Sequence, residues 1–188
     1  MRLGRRLGLQ GDIPRKTRGV DLFHFSDDPA IRRFEPHVPA SNPSHPPAVW
    51  AIDEAHSPLY WFPRDCPRVT AWPRNDVEQA AFRHAFCTTA RRVHAIELSW
   101  LPTLARTTLY RYRFDASTFR PSADASGQWI ADEAVEPLDV EVITDLIDHH
   151  VEAGIELRAV PSLWPLRDLA STGPWDCSIV RIKNAQPL

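Results

Sequence analysis

The sequence predicts one α+β domain, built on a mixed or mostly antiparallel sheet with flanking helices. Three observations support this fold class. Segments of alternating apolar and polar residues predict strands, while apolar stripes at helical spacing predict helices. The links between these segments include both hairpin and crossover lengths, which is typical of α+β proteins. A chain of 188 residues is long enough to bury one substantial core and short enough to form one domain.

The first half of the chain alternates short strands with proline-rich loops. Ten of the 18 prolines lie between residues 22 and 73, where they exclude long helices and central strands. In order, the pattern predicts a strand over Val20–Ser26, a turn or short helix starting at Asp27–Pro29, a loop over 36–47, a strand over Val49–Ile52, a helix from Asp53 to about Trp61 interrupted by Pro58, and a loop over Pro63–Pro73.

The second half has clearer periodicity. LYRYRFD at 109–115 alternates strictly and is the clearest strand, while the apolar stripe over Asp139–Ala153 is the clearest helix. The remaining predictions are a helix over Asp76–Cys87 capped by Asn75, strands over Arg91–Ser99, Gln128–Ala131, Ile155–Val160 and Ser178–Ile182, a loop over Ser117–Gly127, and a helix from Ser162 to about Ala170.

Charge divides the chain into a basic tail and an acidic body. Residues 1–19 carry six Arg or Lys and one Asp, for a net charge of +5, so the remaining residues carry −7 of the total −2. We therefore predict a flexible tail over 1–19 and one domain over 20–188. An acidic body makes nucleic acid an unfavourable partner, except through the tail. No segment is apolar and long enough to predict a membrane span.

Cysteine and glycine patterns exclude several site classes. Three widely spaced cysteines without a CxxC pair predict free thiols and a cytoplasmic location. Neither CxxC nor HExxH is present for the possible ligands (His84, Cys87 and His94, or His149 and His150), so no metal is expected. The absence of GxGxxG and GxxxxGK[ST] argues against the dinucleotide-binding and P-loop folds.

Residues 22–73 hold most of the candidate site residues. The segment is rich in aromatic side chains as well as proline, which predicts rigid loops around a groove lined by rings. His24 lies in mid-strand near Ser26 and Asp27, so it either faces a polar site or packs with satisfied nitrogens. Arg64 either pairs with Asp65 or holds a phosphate or carboxylate. Four acids near the end of the long strand are candidate carboxylates: Asp115, Asp132, Glu133 and Glu136.

Two resemblances extend this interpretation. The blocks LFHFSDDP and VWAIDEAHSPLYWFPRDCPR, with the segment after residue 155, resemble a bacterial family of small proteins of unknown function. More weakly, the order of motifs is similar to the ADP-ribosyltransferase superfamily. In that superfamily an aromatic–His strand binds the NAD ribose, a second strand carries an aromatic residue that stacks on nicotinamide, and a later carboxylate stabilises the ribosyl cation. The first two motifs correspond to Phe23–His24 and to Val49–Ala51 with Trp50.

The second resemblance implies a set of roles and leaves gaps. His24 would bond the ribose hydroxyls with Ser26 beside it, Trp50 and Tyr60 would pack on nicotinamide, and Arg64 would hold the pyrophosphate. Either Asp115 or Glu133 would stabilise the transition state. The usual glycine after the histidine is Phe25 here, and the serine common in the second motif is absent.

Three function classes follow from these observations. The first is ADP-ribosyl transfer from NAD, as the resemblance implies. The second is a non-catalytic module whose proline-framed aromatic groove binds a nucleotide, a peptide or another small ligand. The third is a structural partner protein with an exposed apolar patch. Convergence discriminates between the first two, because catalysis needs His24 and a carboxylate at the same pocket. The sequence leaves the oligomeric state open.

Overall fold

The computed structural model describes residues 20–39, 43–123 and 126–187, and it confirms an α+β fold formed as a single domain. The tail predicted over residues 1–19 lies outside the described residues. The strands are β1 Leu22–Ser26, β2 Val49–Asp53, β3 Arg68–Trp72, β4 Val93–Glu97, β5 Leu109–Phe114, β6 Arg120–Pro121, β7 Gln128–Ala131, β8 Asp139–Ile143, β9 Glu156–Val160 and β10 Asp176–Val180. The α-helices are α1 Asp76–Phe86, α2 Leu101–Leu104, α3 Leu146–Glu152 and α4 Trp164–Thr172.

The strands form two sheets. The first sheet has the order β6-β7-β2-β1-β5-β8 and is antiparallel throughout. The second sheet has the order β10-β3-β4-β9, in which β4 and β9 are parallel and the other neighbours antiparallel. The short 3-10 helix at Ser57–Tyr60 lies in the segment that joins β2 of the first sheet to β3 of the second.

Three apolar clusters hold these elements together. The cluster between the sheets joins Leu109 of the first sheet to Ile96 of the second through Phe62. A second cluster packs α1 and α4 against β3 and β4, on the outer face of the second sheet. The third lies on the outer face of the first sheet, where loop residues such as Phe34 cover β1, β2 and β5. Apolar side chains therefore pack on both faces of each sheet, while four of the five residues of β8 remain exposed.

The predicted helix over 139–153 is wrong in its first half. Residues Asp139–Ile143 form β8, which pairs with β5 along its whole length. Two cross-strand ion pairs, Arg111–Glu141 and Arg113–Asp139, join the strands on one face. Since Val140 and Val142 occupy the opposite face, the alternation suits a strand as well as a helix, and pairing with β5 decides the outcome. The helical half begins only at Leu146.

Two predictions around the proline-rich segment are also wrong. The segment after Asp53 forms a turn and then a 3-10 helix with Pro58 in its first turn, instead of the expected helix. The loop predicted over Pro63–Pro73 contains β3, the strand that connects β10 to β4. The loop predicted over Ser117–Gly127 contains the two-residue strand β6, which pairs with β7, and the helix predicted from Ser162 begins at Trp164. Two other predictions are confirmed: β7 has the predicted bounds, and Asn75 caps α1 through its side-chain oxygen.

The helices of the described residues are short. None combines the length and the apolar composition that a helix needs to cross a membrane.

Candidate functional site

A cleft of about 450 Å³ lies where the two sheets face each other. The first sheet contributes Ile52 and Gln128, and the 3-10 helix contributes Leu59 and Tyr60. The second sheet lines the opposite wall with residues of β3 and β10: Arg68, Trp72, Asp176, Cys177, Ser178 and Val180. Ala123 and Ser126, on either side of an undescribed pair of residues, complete the lining. A volume of this size is within the range of pockets that hold small organic ligands.

A smaller pocket of about 70 Å³ adjoins the cleft. The two share Ile52, Tyr60 and Gln128, so they form one continuous depression with a narrow apolar end. Phe25 and Tyr60 line that end with nearly parallel rings, whose planes differ by 8° and whose centroids are 6.2 Å apart. We call this end the aromatic pocket.

The aromatic pocket exists because β1 and β2 pair only briefly. Their ladder contains two residue pairs, Leu22 with Asp53 and Phe23 with Ile52, whereas β1 pairs with β5 along all five of its residues. Beyond the second pair, residues of both strands line the pocket. His24 bridges this gap with its side chain, because its Nδ1 lies 3.1 Å from the carbonyl oxygen of Trp50.

His24 is held as a neutral imidazole. Burial lowers its pKa, and the bond to the Trp50 carbonyl only partly opposes this effect. A carbonyl accepts, so Nδ1 carries the proton and Nε2 is left as a hydrogen-bond acceptor. The ring packs 4.9 Å from Phe34, which belongs to the outer cluster of the first sheet. His24 therefore lines the aromatic pocket from the edge of β1, while the rings of Phe25 and Tyr60 form its apolar wall.

Trp50 and Tyr60, the residues that the ADP-ribosyltransferase resemblance implies would pack on nicotinamide, both line the aromatic pocket. The Tyr60 hydroxyl accepts a bond from the Gln128 amide nitrogen at 3.4 Å, which positions the phenol at the border with the larger cleft. The Trp50 indole N–H is buried and has no acceptor among the residues that the structure describes. A buried donor without an acceptor is uncommon in folded proteins.

Ser26 and Arg64 lie outside both parts of the depression. The Ser26 hydroxyl accepts from the backbone N–H of Asp28 at 3.1 Å, so it holds the turn that follows β1. The Arg64 side chain is 67% exposed and pairs with Asp27 at 3.3 Å, rather than with its neighbour Asp65. Neither residue lines the aromatic pocket or the cleft.

Asp115 and Glu133, the two carboxylates that the resemblance implies, also lie outside the depression. Asp115 follows β5 and caps a 3-10 helix, where its carboxylate accepts from the backbone N–H of Ser117 at 2.9 Å. This bond lowers the Asp115 pKa. Glu133 follows β7 and is exposed. Neither lines the depression, whose lining contains one carboxylate among the described residues, that of Asp176.

Sequence reasoning missed Arg68, the most unusual residue of the cleft. Its side chain is only 5% exposed, and its guanidinium donates to the carbonyls of Leu59 and Cys66 at 3.1 and 3.3 Å. The available signal is the second arginine of FPRDCPR, but the spacing of prolines predicts a loop there, where arginine is normally solvated. As the first residue of β3, Arg68 instead faces inward.

The histidines that the sequence offered as metal ligands do not form a metal centre. His94 and His150 are fully buried and bond to each other, with Nδ1 of His94 3.1 Å from Nε2 of His150. Over residues 20–39, 43–123 and 126–187, no group of three or more His, Cys, Asp or Glu is arranged to hold a metal ion.

Comparisons with known proteins give a family without a function. Residues 23–185 match the model of a family of unknown function, DUF6886. No curated protein and no solved structure matches the chain. The depression between the sheets is therefore interpreted from its own residues.

Proposed function

Since the chain belongs to DUF6886, a family of unknown function, we propose from the geometry that this protein binds a small molecule whose planar heterocycle enters the aromatic pocket. A nucleotide such as NAD is the ligand class that suits the pocket best. Flat ring faces favour aromatic bases by stacking. A cleft that continues beyond the pocket has room for the remainder of such a ligand.

The short ladder between β1 and β2 is the observation that carries this proposal. Where a ladder stops inside a sheet, the backbone groups beyond it need other partners. Here the Trp50 carbonyl accepts a hydrogen bond from the His24 side chain, and Phe25 and Tyr60 line the gap. An arrangement that served packing alone would fill this gap with protein atoms, because cores are close-packed.

Ligand binding is better supported than glycosyl transfer. Transfer needs a carboxylate within reach of the sugar that His24 would hold. Asp115 and Glu133, the two acids predicted for this role, are both outside the depression. The aromatic rings that ligand binding requires all line the depression.

ADP-ribosyl transfer from NAD is the second candidate, and one observation favours it. The neutral His24 leaves its Nε2 free to accept a hydrogen bond, as a ribose hydroxyl would require. If this candidate is correct, the protein should release nicotinamide from NAD, and His24→Ala should abolish the release. Binding of NAD without release would favour the first candidate.

The experiment is a titration of the purified protein with NAD, ADP-ribose, nicotinamide and adenosine, followed by melting temperature and calorimetry. A ligand that binds only the folded state raises the melting temperature by mass action. Stacking of one base contributes about 1–3 kcal/mol, so Tyr60→Ala should weaken binding roughly 5- to 150-fold.

Tyr110→Ala is the matched control. Tyr110 is also partly buried, but it packs on the outer cluster of the first sheet. The control variant should bind with unchanged affinity. The proposal fails if none of the four ligands binds at millimolar concentration, or if both variants lose affinity equally.

A further inference from the structure

We propose that the Arg68 end of the cleft is an anion site that takes a phosphate group. The proposal combines three properties of one side chain: burial, the absence of a counter-ion among the described residues, and a position in the wall of a cleft of about 450 Å³. The anion site itself is inferred from Arg68 alone. Only the statement that this phosphate belongs to a nucleotide rests on the proposed function.

Arg68 is charged and buried without a carboxylate. Its two side-chain bonds go to the carbonyls of Leu59 and Cys66, which carry no net charge. Its guanidinium also lies over the Phe62 ring, 5.1 Å from the centroid. No ion pair among the described residues includes Arg68. A buried charge is normally paired, because removing it from water is costly.

The pKa of Arg68 agrees with this description. Burial, with a smaller contribution from the charge of Arg181, lowers the Arg68 pKa to about 10. The group is therefore still protonated at neutral pH. Arg181 is near enough for its charge to act on Arg68, but it pairs at 3.7 Å with Asp65, which offsets that charge. The attraction for an anion at this end therefore comes from Arg68.

The remaining donors of Arg68 are available to a ligand. A guanidinium has five N–H donors, of which the two carbonyl bonds use two. The three that remain can meet the oxygens of a phosphate, which arginine binds with paired hydrogen bonds. The carbonyl bonds also fix the guanidinium in place, so an incoming anion meets a group that is already ordered.

The opposite end of the cleft differs in charge. Asp176 pairs with Trp72, which lies four residues from Arg68 along β3, or about 13 Å at the rise of a strand. Asp176 has a cation nearby, since Arg74 Nε is 3.8 Å away. Arg68 is thus the charged group of the cleft for which no partner is described, and an anionic ligand should place its charge there.

The aromatic pocket meets the cleft at Tyr60, whose neighbour Leu59 provides a carbonyl to Arg68. A ligand with its ring in the aromatic pocket and its phosphate at Arg68 would therefore occupy the pocket and the adjoining Arg68 end of the cleft. This arrangement defines the ligand class as a phosphorylated heterocycle.

The test uses Val180, which pairs with Arg68 across the strands and lines the same wall. Directly paired residues have Cβ atoms about 4.5–5.5 Å apart, so Val180→Asp should supply Arg68 with a counter-ion of its own. Val180→Asn has the same shape without the charge and is the matched control. Both substitutions leave Arg68 and its carbonyl bonds in place, unlike removal of the arginine.

The probes are inorganic phosphate, pyrophosphate and acetate at constant ionic strength, measured by calorimetry and melting temperature. We expect saturable binding of phosphate and pyrophosphate to the wild-type protein and to Val180→Asn. We expect Val180→Asp to weaken that binding by about tenfold or more, because the new carboxylate occupies the guanidinium. Absence of binding to the wild-type protein, or equal loss in both variants, would overturn the proposal. Acetate binding as tight as phosphate would overturn the assignment to phosphate.

Asp124 requires its own variant, because it lies in sequence between the lining residues Ala123 and Ser126 but outside the described residues. Asp124→Asn should leave the phosphate affinity unchanged within about twofold. A tenfold gain would mean that the chain provides its own counter-ion, and it would refute the anion site.

The two proposals fail separately. Adenosine and nicotinamide carry a ring without a phosphate and probe the aromatic pocket, whereas inorganic phosphate carries no ring and probes Arg68. Binding of phosphate without adenosine or nicotinamide would support the anion site and leave the aromatic pocket without a ligand. The reverse result would support the pocket and refute the anion site.

Discussion

The burial and the hydrogen bonds of individual residues in this protein depend chiefly on the strands that lie beside them. Arg68 is an ordinary arginine in sequence, yet its position as the first residue of β3 buries it beside a cleft. His24 is equally ordinary, and a two-pair ladder places its ring against the Trp50 carbonyl. Two further residue-level features, a glycine and a pair of histidines, give predictions that do not depend on a ligand.

Gly127 should not tolerate a side chain. It has a φ of 76°, and its carbonyl accepts from the backbone N–H of Asp53 at 2.9 Å. A Cβ at this position would overlap the ring of His56. We predict that Gly127→Ala lowers the free energy of unfolding by roughly 2–4 kcal/mol, from backbone strain and overpacking together.

A substitution at Gly154 measures the backbone strain without the steric overlap. It has a φ of 65°, but a Cβ there meets nothing within 4 Å. Gly154→Ala should therefore cost only the strain, about 1 kcal/mol. Urea denaturation of both variants measures the difference. Equal losses would mean that the His56 ring moves aside and that the overlap is unimportant.

The buried pair His94 and His150 should make stability depend on pH. Nδ1–H of His150 donates to the Leu146 carbonyl at 2.6 Å, so its Nε2 accepts from Nδ1–H of His94, and both rings are neutral. Burial lowers the pKa of His150 to about 4 and that of His94 well below its usual range. The unfolded chain, with histidine pKa values of about 6.5, binds these protons more readily.

Because the histidine pKa values are lower in the folded state, stability should decrease as the pH falls. The folded state binds fewer protons than the unfolded state below about pH 6.5, so stability is complete above that pH and falls as the pH drops towards 4. For His150 alone the loss approaches about 3 kcal/mol. Urea denaturation between pH 7.5 and 4.5 should show this slope, and His150→Leu should flatten it. His84→Leu, at an exposed position on α1, is the control. A wild-type stability that is constant over this range would contradict the prediction.

At the scale of elements, local signals and long-range pairing compete. α1 obeys its local signals: Asn75 caps it, acidic residues occupy its first turn, and Cys87 ends it in a left-handed conformation. The segment at 139–143 obeys pairing instead, because β5 offers a complete ladder and two arginines opposite its acids. A strand at the edge of a sheet is decided by its neighbour as much as by its own periodicity.

The cap of α1 is open to a direct test. The Asn75 side-chain oxygen accepts from the backbone N–H of Glu78 at 3.0 Å, and Asn75 is exposed. Asn75→Ala should therefore lower the free energy of unfolding by about 1 kcal/mol, chiefly through the lost cap. Asn75→Ser, which keeps a capping oxygen, should recover most of that loss. If the alanine and serine variants have the same stability, the cap contributes nothing.

At the scale of the whole molecule, the reactivity of the three thiols should report on folding. Cys66 is fully buried, and burial raises its pKa to about 12, so it lacks thiolate at neutral pH. Cys87 and Cys177 are exposed. A thiol reagent at pH 8 should modify two cysteines of the folded protein and the third only on unfolding.

Cys177→Ala should lower the number of accessible thiols in the folded protein from two to one and serves as the control. Rapid modification of all three thiols in the folded protein would contradict the burial of Cys66.

Sequence patterns predicted some parts of the site and concealed others. The ADP-ribosyltransferase resemblance implies one ring-binding site for Trp50 and Tyr60, and both line the aromatic pocket. The sequence offers Arg64 as the anion ligand and gives no signal for Arg68, because the spacing of prolines predicts a loop over both. Exposure separates them, and exposure depends on which of the two begins a strand: Arg64 faces solvent, whereas Arg68 is buried.

The α+β class and most of the local elements follow from the amino-acid sequence, since they depend on periodicity, caps and prolines within a few residues. Three features become visible only in the folded chain: 139–143 is a strand, the β1–β2 ladder stops after two pairs, and a buried Arg68 faces the cleft. These features arise from pairing and packing between segments far apart in the chain. Local patterns do not encode which strand will be the neighbour, and it is the neighbour that decides burial.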